Sequence, residues 1–203
     1  EFDAFVEMYS DFKIPFFMNT RAETINEYRV RRLEEINCHR ANIGLEHGNE
    51  KFRREVIGRT ISNEALIRAI EIVGHSTLST AANNIIGFPD ETRELVFDTI
   101  ALNRKIKDYV DSICCFIFAP YHGTQLRKIA VQKGYLDDST VVTVDTTRES
   151  MLRMPQLTNE QLQGLQRTFS FYVRMPDSEY PKIAVAERLD GEGVQSLATE
   201  TLL

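Results

Sequence analysis

Ala82-Asn83-Asn84-Ile85-Ile86-Gly87-Phe88-Pro89-Asp90 reads as a strand that ends on a glycine turn, and a helical stretch comes directly after it. The spacing of Leu95, Thr99, Leu102 and Ile106 suits that helix, and Asp90 after Pro89 is its predicted N-cap. The same order, strand then helix, recurs on both sides. Downstream, Ser112-Ile113-Cys114-Cys115-Phe116-Ile117-Phe118 is the most apolar strand, and its helix carries Leu126, Ile129 and Ala130 and stops at Gly134. Upstream, Ala41-Asn42-Ile43-Gly44-Leu45-Glu46 is a strand with a glycine inside, and Phe52, Val56 and Ile57 mark a helix behind it. Ser62 caps a further helix whose buried face is Ala65, Leu66, Ala69, Ile70 and Val73. Earlier still, Ile14-Pro15-Phe16-Phe17-Met18 is a short apolar run between an amphipathic stretch (Phe2 to Phe12) and helical spacing from Thr24 to Asn37. Strand centres at Ile43, Ile85 and Ile117 lie roughly 30 to 40 residues apart, the spacing of βα units joined by crossover helices.

Strands of this continuous apolar kind predict a parallel sheet covered on its faces, as a barrel or as an open doubly wound sheet. The tail differs. Val141 to Met154 is polar and β-branched and reads as an extended linker. Thr158-Asn159-Glu160-Gln161 has capping-box form and opens a helix through Leu162, Leu165 and Phe169. Pro176 and Pro181 interrupt the chain beyond that helix, and the residues after Gly191 read as frayed. The Phe169-Ser170-Phe171-Tyr172 segment fits either packing against the sheet or lidding a substrate side.

Composition narrows the function. The chain has 203 residues, 42% hydrophobic and 27% charged, enough to bury a core without staples. A formal charge of −6 argues against general nucleic-acid binding. No apolar run approaches the roughly 18 residues of a membrane span. Three cysteines (Cys38, Cys114, Cys115) without regular spacing point to a reducing compartment, hence a cytoplasmic expectation. The Cys114-Cys115 pair alternates faces of an apolar strand, where cysteine acts as a small hydrophobe.

In parallel α/β folds, ligands bind at the carboxyl ends of the strands. Those ends carry Asn19-Thr20-Arg21, then Glu46-His47-Gly48-Asn49, then Asn83-Asn84 with Gly87, then Ala119 to Thr124. Four polar ends make a rim around one mouth. His47 and His122 stand at strand ends, yet neither His-x3-His nor Cys-x2-Cys spacing occurs, so no metal site is expected. The Arg29 to Arg32 run reads as a solvated helix face offset by Glu27, Glu34 and Glu35.

These segments together resemble a known family. Ile43 to Glu50 with Arg53 to Arg59 after it resembles the fourth-strand region of radical S-adenosylmethionine (radical SAM) enzymes. Asn83 to Thr92 resembles their fifth strand and turn, Phe116 to Leu126 their sixth, and Ile14 to Thr24 their third. The subgroup with an N-terminal cobalamin-binding domain is the nearest in flavour. The resemblance implies an α/β fold, a partial (β/α) barrel of TIM-like type over residues 1–136. A mainly helical extension would cover residues 137–203. It also implies S-adenosylmethionine and a 4Fe-4S cluster, which together generate a 5′-deoxyadenosyl radical, with cobalamin as a further cofactor of the subgroup. Carried over by position, Glu46 would hydrogen-bond the cofactor and Arg59 would pair with its carboxylate. Asn83 would contact ribose or amino group, Gly87 would allow approach near the adenine, and the Phe118-Ala119 backbone would read its edge. Asn19 is a looser candidate.

The family holds its cluster with Cys-x3-Cys-x2-Cys, and no such run exists here. The chain is therefore expected to begin just before the family's third strand, to be a fragment, and to be inactive alone. Its first-strand edge would be covered by missing barrel strands, by self-association, or by the Phe2 to Phe12 helix. The other class consistent with the residues is a non-catalytic α/β module that binds a nucleotide-like ligand or a partner protein.

Overall fold

The computed structural model describes residues 1–142, 149–188 and 190. The region after Gly191, and part of the expected linker, lie outside the described residues. Four strands, β1 (Phe16–Arg21), β2 (Cys38–Glu46), β3 (Ser79–Ile86) and β4 (Ser112–Ile117), form one sheet in the order β1-β2-β3-β4. Every pair is parallel. Helix α1 (Phe2–Tyr9) precedes β1, and α2 (Glu27–Glu35) joins β1 to β2. A helical turn, α3 (Glu50–Phe52), runs into a π-helical turn at Arg53–Ile57, and α4 (Asn63–Gly74) completes the crossover to β3. Helix α5 (Arg93–Ile106) joins β3 to β4, and α6 (Gln125–Gln132) comes after β4. The helical tail is α7 (Asn159–Arg174) and α8 (Tyr180–Ala186).

Caps set the helix starts. Asn26, Ser62, Thr92, Thr124 and Thr158 each accept a backbone N–H from three residues on. Ser62 and the Thr158/Gln161 box stand as expected. The cap of α5 is Thr92 and not Asp90. Asp90 lies in the left-handed region at φ 66° and takes the Tyr135 hydroxyl at 2.9 Å. The chain needs that bend so that Glu91 can turn back under the strand, which pushes the helix start two residues on.

Among the described residues the sheet is covered on one face, where the apolar strands predict cover on both. Ala41, Ile43, Leu45, Ala82, Ile86 and Ile117 face the helices and are buried. Their alternating partners Phe17, Asn19, Arg40, Asn42, Asn83, Cys114 and Phe116 line an open face, with Phe17 60% exposed. Strands β2 and β3 therefore start three residues earlier than an apolar run suggests. Arg40, Ser79 and Thr80 belong to them although they are polar.

Two clusters make the core. One packs β1–β3 against α2 and α4, with Val6 of α1 at its rim. Tyr9 meets Phe16 edge-on at 5.0 Å, so α1 rests over the start of β1. The other joins Ile86, Ile117 and Phe118 to Leu152, Leu157, Leu162, Leu165 and Phe169. The tail thus packs on the covered face, behind β4, and α7 supplies the layer there. Three arginines hold it. Arg93 pairs with Glu187, Arg104 donates to the Tyr172 carbonyl at 2.8 Å, and Arg167 donates to the Ala186 carbonyl at 2.7 Å.

Candidate functional site

The exit of β2 departs from regular strand backbone in two ways. Register shifts between Gly44 and Glu46, so Leu45 is an inserted residue, and Glu46 itself adopts φ 68°. A bulge of this kind re-aims a side chain at a functional edge. A non-glycine residue held in the left-handed region costs about 1–3 kcal/mol. The bend swings the Glu46 carboxylate back over Gly44, where any Cβ would strike it. There Glu46 pairs with Arg59 at 2.9 Å, both side chains largely covered. Arg59 reaches this point because Gly58, at φ 77°, ends the π-helical turn. Burial pushes the Glu46 carboxyl above its ordinary value, while Arg59 and Arg21 pull it down. Asn83 stands beside Gly44 on the same open face, and Arg21 stands on Gly44's other side.

Behind this face, His47 and Glu91 tie two strand exits together. Both are fully buried, with His47 Nε2 3.0 Å from Glu91 Oε1. His47 Nδ1 accepts the Asn49 N–H, so Nε2 carries the proton and donates. The other Glu91 oxygen accepts the N–H groups of Gly87 and Phe88. Arg53, also fully buried, donates to the His47 carbonyl and to Asn63 and Ile61, fixing the loop that delivers Arg59. His47 is therefore a brace and not a ligand.

Glu46, Arg59 and Asn83 come together. Gly87, Phe118 and Ala119 form a second group at the exits of β3 and β4, where the Phe118 N–H donates to the Ile86 carbonyl at 2.8 Å. Gly87 needs its glycine for φ 86°, and a Cβ there would face Leu162 of α7 at 3.2 Å. Phe118 is 8% exposed and packs on Phe88. Asn19 lies lower on the open face and accepts from Asn42 at 3.0 Å. Asn84 leaves the rim altogether. It points to the covered face and exchanges hydrogen bonds with Asn103 at 3.1 and 2.8 Å.

Residues 1–102, half of the chain, match the Radical SAM superfamily. The chain belongs to that superfamily. An uncharacterised methyltransferase of Pyrococcus horikoshii is 30% identical over 186 residues, 89% of this chain and 38% of that protein. Among solved structures, the Escherichia coli coproporphyrinogen III oxidase HemN, a radical SAM enzyme, covers 84% of this chain and 36% of its own. Its TM-score is 0.59 at 16% identity. Methanocaldococcus infernus Elp3 covers 63% of this chain and 31% of its own, at TM-score 0.52 and 16% identity. These likenesses show a partial radical SAM barrel. The chain spans between 31 and 38% of these three proteins.

The superfamily implies S-adenosylmethionine and a 4Fe-4S cluster. The first fits this chain: a carboxylate, a guanidinium and an amide at one mouth match a zwitterionic nucleoside. The cluster does not fit. Cys38 is buried at the foot of β2, and Cys114 and Cys115 point to opposite faces of β4. Among the described residues, no three of His, Cys, Asp and Glu converge on a metal position. No helix of the described residues is long and apolar enough to cross a membrane.

Sequence reasoning missed Arg53, Glu91 as the partner of His47, and the pair Arg40 and Asn42. The last had a signal. Arg40, Asn42, Gly44 and Glu46 alternate with Ala41, Ile43 and Leu45, a period of two that marks one open face.

Proposed function

We propose that this chain supplies the S-adenosylmethionine-binding strand ends of a radical SAM enzyme, and that the cluster thiolates come from polypeptide outside these 203 residues. The observation that carries the reading is the Glu46–Arg59 pair on a bulged, left-handed strand exit beside Asn83. With a cluster held by that outside polypeptide, the cofactor would supply radical chemistry for hydrogen abstraction. The residues of this chain bind and orient it. Glu46 accepts from its hydroxyl or ammonium groups, and Arg59 takes its carboxylate in a guanidinium fork. Asn83 bonds the ribose or amino group. The backbone at Gly87, Phe118 and Ala119 borders the adenine.

Methyl transfer is the reaction class we favour, supported by the name of the Pyrococcus relative. The cobalamin-dependent subgroup is its narrower form and rests on the motif resemblance. Purification of the full polypeptide without a corrin would refute that narrower form.

Calorimetry with S-adenosylmethionine tests the site. Glu46→Ala and Arg59→Ala should each weaken binding by about 1–3 kcal/mol, the range for removing one charged hydrogen-bond partner. Unchanged affinity in both variants would refute the placement. Anaerobic treatment with iron and sulfide should leave this chain without a cluster chromophore, and a chromophore would refute the outside origin of the thiolates.

A further inference from the structure

We propose that the open face of the sheet carries a second site, below the mouth, that takes the carboxylate or phosphate end of a small molecule with an apolar body. The inference rests on the preceding reading in that this molecule would be the substrate.

The site is a polar row that crosses the sheet. Arg40 Nε donates to Asn42 Oδ1 at 2.9 Å, and Arg40 Nη2 donates to Ser112 Oγ at 2.7 Å. A guanidinium only donates, so Asn42 must turn its oxygen to Arg40 and its NH2 outward. That NH2 donates to Asn19 Oδ1 at 3.0 Å, which turns the Asn19 NH2 away in its turn. The direction of every bond in the row is set by one charge. The row leaves over the Arg40 Nη1 group, the Asn19 NH2 and the Ser112 hydroxyl proton, all of them donors. Among the described residues no carboxylate stands within ion-pair distance of Arg40. The acid that feels its charge, Asp111, is committed to the Thr80 N–H at 2.6 Å. A half-buried guanidinium with its neighbours prearranged and no carboxylate bonded to it suits an anion with two or more acceptor oxygens.

The surroundings describe the rest of the ligand. A cavity of about 410 Å³ lies over the row. Ala81, between Asn42 and Ser112 in register, leaves a dip in the floor. Phe17 sits beside Arg40 in register, and Phe116 stands on the far strand, 60% and 39% exposed. These two rings, one beside the arginine and one four residues above Ser112, are apolar walls of the same cavity. The row lies two to four residues below Gly44 along the same face, about 7–13 Å at strand spacing. An anion held at Arg40 therefore lays its body across Asn83 and Cys114 toward the mouth, with its far end beneath Glu46 and Arg59.

The test is a titration of the 203-residue chain, monitored by NMR of backbone and asparagine side-chain amides. The probes are 4-phenylbutyrate, phenyl phosphate and the neutral 4-phenylbutyramide. At least one acid should shift Asn19, Asn42, Ser112 and Cys114, and should bind at least tenfold more tightly than the amide. The tighter acid identifies the head group. Arg40→Gln should lose at least tenfold and Arg40→Lys should recover part of the loss. An amide that binds within twofold of both acids, or Arg40→Gln within twofold of the parent chain, would overturn the proposal. If circular dichroism shows Arg40→Gln unfolded, Phe116→Ala decides, with at least a threefold loss expected and no loss overturning the site. Glu46→Ala should weaken S-adenosylmethionine and leave the acids bound. Acid binding without any cofactor binding sinks the cofactor reading alone, and cofactor binding without acid binding sinks this one alone.

Discussion

Glu91→Ala should be among the most damaging single substitutions in this chain. The carboxylate has no exposure to solvent and accepts from three donors: the Gly87 N–H, the Phe88 N–H at 3.0 Å and His47 Nε2 at 3.0 Å. Alanine leaves all three buried donors without a partner. Each unsatisfied donor costs about 1–3 kcal/mol, and water entering the vacated space recovers some of that, so the net loss should be about 3–5 kcal/mol. Against a total stability of about 5–15 kcal/mol for a domain, that is a large share. Glu91→Gln keeps one acceptor oxygen but turns an NH2 toward at least one donor, so it should fall between parent and alanine. Urea unfolding monitored by circular dichroism reads the order, with an unchanged slope confirming that stability and not the unfolded state has moved. His47→Ala added to Glu91→Ala should cost much less than the two losses summed, since the partners are one unit. A Glu91→Ala loss below about 1 kcal/mol would refute this reasoning, as would a glutamine variant weaker than the alanine one.

Single features give three further outcomes. Cys114 lines the open face, whereas burial pushes the Cys38 and Cys115 thiols up, so iodoacetamide at pH 8 should label Cys114 first; equal labelling of Cys115 would contradict the alternation. Gly164→Ala would drive a methyl group into the Glu187 backbone carbonyl and should lift α8 from α7, costing about 1–3 kcal/mol in thermal or urea unfolding; an unchanged melting temperature would show that the tail yields freely. Burial raises the folded-state pKa of Glu46, so its stabilising contribution is complete below the unfolded value and is lost as pH rises through the folded one. Glu46→Gln should therefore gain melting temperature relative to the parent between pH 4 and pH 7, and a gap that is constant or moves the other way would refute the assignment.

The order of elements was legible in large part because the helices from α2 to α7 announce their starts with a side chain. Ser62 and the Thr158/Gln161 box do so through local bonds that need no tertiary partner. Asp90 misled because its role is set from afar, by Tyr135 and by the return of Glu91 beneath the strand. The candidate rim was legible as a set of polar strand ends. The work of those polar groups was not, since adjacent residues on a strand face opposite sides. Asn83 and Asn84 read alike in sequence, yet one stands on the open face and the other is bonded to Asn103 inside the core.

That contrast also separates the two faces of the sheet. Asn84 and Asn103 spend their capacity on each other, on the Cys114 carbonyl and on the Thr99 carbonyl, so a buried polar pair ends satisfied and closed. His47 and Glu91 close in the same way around the Gly87 turn. Their cost is met by geometry alone, and they hold the strand exits still. On the other face the bonds do not close. Glu46 meets Arg59 through one oxygen on a backbone bend that costs energy to keep. The Arg40 row ends in donors without acceptors. A covered side whose Asn84–Asn103 and His47–Glu91 pairs close on themselves, beside an open side with directed donors and a carboxylate on a left-handed bend, fits the proposal that molecules bind on the open side. The period-two alternation of β2, with Ala41, Ile43 and Leu45 inward and Arg40, Asn42 and Glu46 outward, puts both functions in nine residues.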